Sequence, residues 1–573
     1  MPVHNSDLER MFTELADLLE IEGANQYRVR AYRNAARIVS GYPRRVQDMV
    51  QQGEDLTRIE GVGKELAGKI EEAVRTGSIS ALEREKQRLP SGLLELLELE
   101  GLGPKKVSAL YHQLGVTDPS DLEEAARQGR IRQLKGFGVK SEERILRELQ
   151  QATQKQDTRF RLSVAEEMVS LLIRHLQQDP GVENIQVAGS FRRRKETVGD
   201  LDILVVARDR ERIMRRFLGY GDILEVLMHG HTRSSAVLKN GLQVDLRTVP
   251  SESFGAALHY FTGSKAHNVA IRRMAQQKEY KINEYGVYRK GHQRAGESES
   301  GVYAAMGLTY VEPELREDWG EIEAAARGTL PELIHLGDLK GDLHVHSNYT
   351  DGSHGLRDLA LAAHKKGFEY LAITDHSQRL SVARGLGASR LRKQMEEIDR
   401  VNEEGAGAFL LKGIEVDVLS DGSLDLPESI LCDLDLVICA LHFGLNLSSE
   451  QQTKRILAAL DNPCTSVLAH PTGRILQSRA PSEMELERII NRAADKGVIL
   501  EINSQPDRLD LNDTSIRMAK EAGAKLAISS DAHHAEGLDI LRYGVDQARR
   551  GWLESLDVVN TSTLVQLRRI LRS

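Results

Sequence analysis

Two aspartates one residue apart, Asp200 and Asp202, open the apolar run Ile203-Leu204-Val205-Val206. On a strand, residues i and i+2 face one side, so both carboxylates can clamp a common pair of divalent cations. A third carboxylate, Asp245, lies in the alternating, strand-like segment Leu242-Gln243-Val244-Asp245-Leu246. Upstream, the apolar stretch Ile185-Gln186-Val187-Ala188 runs into Gly189-Ser190-Phe191 and then Arg192, Arg193 and Arg194. That arrangement offers backbone N–H groups, a hydroxyl and guanidinium forks to a polyphosphate. Three carboxylates beside a phosphate cradle are what two-metal phosphoryl or nucleotidyl transfer needs.

A second set of ligand-type side chains begins at Gly341-Asp342-Leu343-His344-Val345-His346, where the two histidines share one face of a strand. Asp351, His376, Glu415, His442, His470, Asp531 and His533 come later, spaced along the chain at the ends of apolar, strand-like runs. These runs alternate with helical stretches, a pattern that predicts a β/α barrel with its ligands on the C-terminal rim. Mixed imidazole and carboxylate donors suit manganese, zinc or iron. Such a cluster lowers the pKa of water and neutralises a phosphate, so phosphoester hydrolysis is the reaction class. Asp375, beside His376, is the expected partner behind the ligands. Arg384 is a candidate for substrate phosphate or else a surface loop residue.

These side chains sit in a 573-residue chain, long enough for several domains. Its first 150 residues hold three copies of an apolar residue followed by Gly-x-Gly and a helix: Ile59 with Gly61 and Gly63, Leu99 with Gly101 and Gly103, Leu134 with Gly136 and Gly138. Lys64, Lys105 and Lys140 come after the glycines. Glycine permits the tight turn, and the exposed N–H groups with a nearby lysine can hold a DNA phosphate without reading sequence. The net charge of −8 is uneven, being +1 over residues 1–320 and −9 over the remainder, so global charge does not exclude a nucleic-acid partner. No apolar run reaches 18 residues and Met1 to Arg10 is polar, which predicts a cytoplasmic protein, nucleoid-associated when bound to DNA. Cys432, Cys439 and Cys464 lack paired metal spacing and are expected as reduced core residues.

The segment from Gly189 to Asp202 resembles the nucleotidyltransferase signature of family X DNA polymerases, the group that includes DNA polymerase beta. Tyr260-Phe261-Thr262-Gly263-Ser264, Asn268 and Arg272 resemble the family's nucleotide-binding segment, and Ile282-Asn283-Glu284-Tyr285 a motif behind it. The Gly-x-Gly repeats resemble helix-hairpin-helix motifs. Ala67-Gly68-Lys69-Ile70 resembles the lyase segment of polymerase beta and places Lys69 at the Schiff-base lysine. The order of the nine C-terminal ligands resembles the polymerase and histidinol phosphatase (PHP) domain. The resemblance implies helical hairpin domains at 1–88 and 89–155, an α/β palm at 156–250, a nucleotide-binding thumb at 251–318, a linker at 319–337, and a distorted (β/α)7 PHP barrel at 338–573.

The resemblance also implies roles for particular residues. Asp200 and Asp202 would hold two Mg2+ or Mn2+ ions, with Asp245 joining the ion at the primer hydroxyl. Gly189, Ser190, Arg193 and Gly199 would contact the triphosphate of a dNTP. Tyr260, Phe261 and Gly263 would line the sugar, Lys265 would lie by the base, and Asn268 and Arg272 would reach the nascent pair and template. Arg247, Asp202 and Glu284 match a switch in which the arginine changes partner on closure. Up to three Mn2+, Zn2+ or Fe ions would sit near His344, His346 and Asp531, near His442 and His470, and near Asp351, His376 and His533, bridged by Glu415. Three departures stand out: Gln243 replaces an arginine that orients the third aspartate, Val198 a serine near the triphosphate, and Lys265 an acidic residue. Glu65 stands where relatives carry a second basic residue, so lyase chemistry stays open. The expected activity is gap filling by a monomer on gapped or primer–template DNA, with 3′→5′ exonuclease or abasic-site phosphoesterase at the PHP site. Three alternatives stay open: a PHP domain that is structural or a small-molecule phosphatase, a non-catalytic DNA-end binder, and an RNA nucleotidyltransferase.

Overall fold

The structure is a computed structural model that describes residues 5–40, 46–59, 62–90, 92–97, 99, 102–134, 136–138, 141–143, 145–146 and 159–572. The chain divides into two compact units, Met1–Thr158 and Arg159–Ser573.

The first unit is helical among its described residues. Long amphipathic helices, Asn5–Glu22 and Gln26–Ser40, pack through Phe12, Leu15, Leu19, Tyr32 and Ala35. The hairpin turns repeat one hydrogen bond: Val62 N–H to Ile59, Leu102 to Leu99, and Phe137 to Leu134, at 2.9, 3.1 and 3.1 Å. Gly63 and Gly103 then serve as N-caps of the helices Lys64–Thr76 and Pro104–Leu114. Val62 and Leu102 are buried and Phe137 half-buried, while Gly63, Gly103, Gly136 and Gly138 face solvent. The packing side chain thus fixes each loop and keeps the glycines outside.

The second unit opens with β1 (Phe160–Arg161) and the helix Leu162–Gln177. Strands β2 (Val182–Val187), β3 (Thr197–Val198), β4 (Asp200–Ala207), β5 (Ile223–His229), β6 (Arg233–Leu238) and β7 (Gln243–Thr248) come next. The palm sheet has the order β2-β4-β7-β6-β5, with β4 and β7 parallel and the other pairs antiparallel. β8 (Tyr280–Asn283), β9 (Gly286–Arg289) and β10 (His292–Ala295) form an antiparallel meander beside the helices Phe254–Thr262, Lys265–Gln277 and Glu299–Ala305. The stretch 319–337, expected as a linker, contains the helix Glu321–Arg327, and Glu321 is buried against His267 at 2.6 Å.

The remaining strands are β11 (Gly341–Val345), β12 (Tyr370–Ile373), β13 (Phe409–Asp417), β14 (Leu436–Ala440), β15 (Val467–Leu468), β16 (Ile499–Asn503) and β17 (Leu526–Ser529). All seven are parallel and run in chain order, a nearly closed barrel of the expected class. Nearly every strand residue is buried, as a parallel sheet covered by helices demands. Side chains help to close β11 on β17. Asp342 accepts from the Ser530 amide and hydroxyl, and Asn560 donates to the Gly341 and Ile528 carbonyls at 2.8 and 2.7 Å. The Asn560 side chain also accepts from the Ile528 amide at 3.0 Å.

The expectation of three reduced cysteines needs correction. Cys432 and Cys464 form a disulfide, their Cα atoms 5.3 Å apart, because the turns before β14 and β15 bring them within bridging reach. Cys439 alone is free and buried on β14, where burial pushes its thiol up to about 12.

Asn560→Ala leaves two buried carbonyls and one amide without partners. It should destabilise the barrel by about 2–4 kcal/mol, read as a lower urea midpoint of unfolding followed by circular dichroism.

Candidate active sites

Pairing of β4 with β7 places Asp202 directly opposite Asp245, and Asp200 opposite Gln243. Asp200 and Asp202 share a face, so the three carboxylates converge at the start of these two strands. Burial, Asp200 and Asp245 together push the Asp202 carboxyl up to about 6, with Arg247 and Arg233 opposing. One Asp245 oxygen is buried without a hydrogen-bond donor. Crowded carboxylates with an unpartnered oxygen fit a divalent cation.

The other oxygen of Asp245 accepts from Arg233 at 2.8 Å, with Arg247 3.9 Å away. Arg233, on β6, was not expected. It reaches the aspartate from the neighbouring strand, whereas the expected arginine position, on β7 itself, holds Gln243. Arg247 also lies 4.4 Å above the Phe261 ring.

The cradle begins at Gly189, whose φ of +65° favours glycine. A Cβ there would lie 3.3 Å from Asp202 Oδ2, so glycine also gives the turn its close approach to the carboxylates. The arginines after Ser190 have separate partners. Arg192 donates to Thr262 Oγ1 and Glu299, Arg193 to the Thr262 carbonyl and Glu317, and Arg194 to Asp546. Asn268 is buried and donates to the Tyr260 carbonyl at 2.7 Å, while the Arg272 guanidinium sits 5.5 Å above the Tyr260 ring. Gly263 caps the helix Phe254–Thr262, and Lys265 is exposed.

At the barrel mouth the nine expected donors are brought together. His344, His346 and Asp531 form one group; His346, Asp351, His376 and His533 a second; His376, Glu415 and His442 a third. His470 Nε2 lies 2.9 Å from Glu415 Oε1. Glu415 Oε2 is 2.7 Å from His376 Nδ1, 3.6 Å from His344 Nε2 and 3.7 Å from His346 Nε2. Oε2 and His376 Nδ1 are both buried without a hydrogen bond. Imidazole and carboxylate donors whose ligand atoms crowd one buried space fit shared cations. Burial and the neighbouring His376 press His346 down to about 3, whereas burial opposes but Glu415 and Asp351 hold His376 up at about 10. His470 and Asp531 adopt positive φ of 27° and 53°.

Behind the donors stand carboxylates that sequence reading missed. Glu501 takes His344 Nδ1 at 2.6 Å and also accepts from the His470 amide at 2.7 Å. Asp417 lies 3.1 Å from His442 Nδ1. Each leaves the ring's Nε2 facing Glu415, the arrangement that orients a ligating imidazole. The signal for Glu501 was a charge inside the apolar run Val498-Ile499-Leu500-Glu501-Ile502. Asp375, expected behind His376, instead accepts from Ser347, Thr350 and Gln394 and holds the loop after β11. Arg384 donates to the Thr350 carbonyl of that same loop.

In the helical unit Gly63, Lys64, Gly103, Lys105, Gly136 and Gly138 are exposed at their turns, and Gly61, Gly101 and Lys140 lie outside the described residues. Lys69 is half-buried, 3.4 Å from Glu65 and 5.9 Å from the Tyr32 ring centre.

Each of these regions is similar to known proteins. Residues 3–79 and 93–151 match families described as a helix-hairpin-helix domain and a SAM-like helix-hairpin-helix tandem. Residues 161–275 and 257–317 match the DNA polymerase beta palm and thumb, and 342–505 the PHP domain. The DNA polymerase/3′-5′ exonuclease PolX of Bacillus subtilis (strain 168) is 39% identical over 574 residues, covering 100% of both chains. The chain belongs to the family X DNA polymerases that carry a C-terminal PHP domain. A probable phosphatase of Thermoanaerobacter sp. (strain X514) is 31% identical over 34% of this chain and 78% of its own. DNA polymerase lambda of Arabidopsis thaliana is 24% identical over 55% of this family X chain and 62% of its own.

Glu501→Gln should loosen His344 and lower metal affinity at the barrel mouth by about 10–100-fold. Titrating Mn2+ against hydrolysis, and against the calorimetric heat of metal binding, checks this; excess metal should restore most of the rate.

Proposed function

We propose that this chain extends primers across short DNA gaps at the palm and removes 3′-terminal nucleotides at the PHP barrel. The reading rests on one observation: two separate converging donor sets occur in a chain similar from end to end to a polymerase/3′-5′ exonuclease. The palm takes Mg2+ or Mn2+, and the barrel Mn2+, Zn2+ or Fe. Divalent ions, when bound, supply Lewis-acid charge and lower the pKa of attacking hydroxyl or water at both centres.

Asp200 and Asp202 hold both palm ions, and Asp245, oriented by Arg233, faces the primer hydroxyl. Gly189, Ser190, Arg193 and Gly199 bind the triphosphate, while Tyr260, Phe261 and Gly263 pack the sugar. Lys265 lies beside the base, and Asn268 and Arg272 face the nascent pair. For Arg193 to reach a phosphate it exchanges Glu317 for the substrate. At the barrel, His344, His346, Asp351, His376, Glu415, His442, His470, Asp531 and His533 hold the ions. Glu501 and Asp417 keep two of the rings with Nε2 inward. The hairpin turns bind the DNA backbone through exposed amides and lysines. DNA is then the shared substrate.

A 5′-labelled primer on gapped DNA tests the assignment, with and without dNTPs. Asp200→Ala should abolish extension and leave 3′ shortening, while His344→Ala should do the reverse. Shortening that survives His344→Ala would remove the barrel from the reaction. The open question whether Lys69, paired with Glu65, is an amine that attacks a sugar aldehyde has its own test. Borohydride should trap the chain on an incised abasic duplex, and Lys69→Ala should not be trapped; a wild type that traps nothing answers it in the negative.

A further inference from the structure

The turn that forms the phosphate cradle is held from the barrel side. Arg550, buried at the end of the helix Leu541–Arg550, donates to the Arg193 carbonyl at 2.7 Å. Gln547 on the same helix donates to the Arg194 carbonyl at 3.4 Å. Asp546 accepts from Arg194 Nε at 2.8 Å, and Arg194 is paired again with Glu166 at 2.6 Å. A second support comes from the loop after His470: Arg474 pairs with Glu196 at 2.7 Å. Gln477 donates to the carbonyl of Arg159, whose guanidinium holds Thr197 at 2.9 Å just before Gly199 and Asp200. Leu162, Val198, Leu509 and Tyr543 close a small apolar cluster between the supports.

Glu317 is shared in this arrangement. Arg193 Nε lies 3.0 Å from it and both Arg550 terminal nitrogens 3.3 Å. If Arg193 leaves for a triphosphate, a buried carboxylate abandoned by its only cation would be costly. Arg550 stays on Glu317, as does Lys195 at 3.6 Å, so the exchange does not strand the charge.

We propose that the barrel helix Leu541–Arg550 is part of the polymerase's nucleotide site, with Arg550 and Asp546 acting as positioning residues for the cradle turn. This rests on the reading of Arg193 as a phosphate ligand. The barrel then has two functions, one hydrolytic at its mouth and one on its flank that pre-organises the triphosphate contacts.

The experiment is steady-state single-nucleotide insertion by the full chain on saturating gapped DNA, for Arg550→Met, Arg550→Lys, Asp546→Asn and Arg193→Ala. Shortening of a 3′ end is measured in parallel. Arg550→Met and Asp546→Asn should each raise the dNTP KM about tenfold with kcat within about twofold. Shortening should be unchanged, and Arg550→Lys should recover part of the KM. If Arg193→Ala raises KM while Arg550→Met and Asp546→Asn leave it alone, the positioning role is overturned and the cradle reading stands. If Arg193→Ala also leaves KM unchanged, the cradle reading itself has failed. If Arg550→Met and Asp546→Asn lose shortening and extension together, the contacts are merely structural and the proposal falls.

Discussion

Asp202 faces Asp245 because β4 and β7 run parallel with Leu201 opposite Val244 and Ile203 opposite Leu246. A slip of one residue would send the carboxylates into the core and the leucines into the site. Most of the geometry of the candidate palm site depends on that register. Gly189 can approach Asp202 only from the end of β2, which pairs antiparallel with β4, and Arg233 can reach Asp245 only from β6, which pairs antiparallel with β7. Apolar alternation on the strands therefore sets the positions of the acids as well as the packing beneath them.

The barrel applies the same constraint to different donors. Each parallel strand ends at the same rim, so His344 on the first strand and Asp531 after the last come within 3.6 Å. The buried charge of Glu415 is the cost of this convergence. Five histidines, His344, His346, His376, His442 and His470, have ring nitrogens within 4 Å of its oxygens. Asp417 and Glu501 then set which nitrogen of His442 and His344 faces it.

The candidate residues were legible because they fall in recognisable local patterns: Asp-x-Asp before an apolar run, Gly-x-Gly before a helix, histidines at strand ends. Their partners were less legible because partnership is spatial. Arg233 supports Asp245 across a strand pair, 12 positions away in the chain. Asp375 shows the converse, since adjacent residues at a strand end point to opposite sides and its neighbour His376 turns away from it. The disulfide between Cys432 and Cys464 escaped for the same reason, its half-cystines being 32 residues apart in turns that only the sheet order juxtaposes.

The barrel meets the palm and thumb through a small apolar cluster and a set of charged pairs: Arg194 with Asp546 and Arg474 with Glu196 from the palm, Arg549 with Glu314 and Arg550 with Glu317 from the thumb. Buried ion pairs contribute little net stability, because desolvation offsets most of the Coulombic gain. Their geometry is demanding, however, and removing one partner is expensive. An apolar interface of the same size would bind as well and tolerate sliding. A charged one fixes the angle at which the barrel helix meets the cradle turn. Sub-ångström placement is what phosphate contacts need, so the composition of this interface fits a role in positioning better than a role in adhesion.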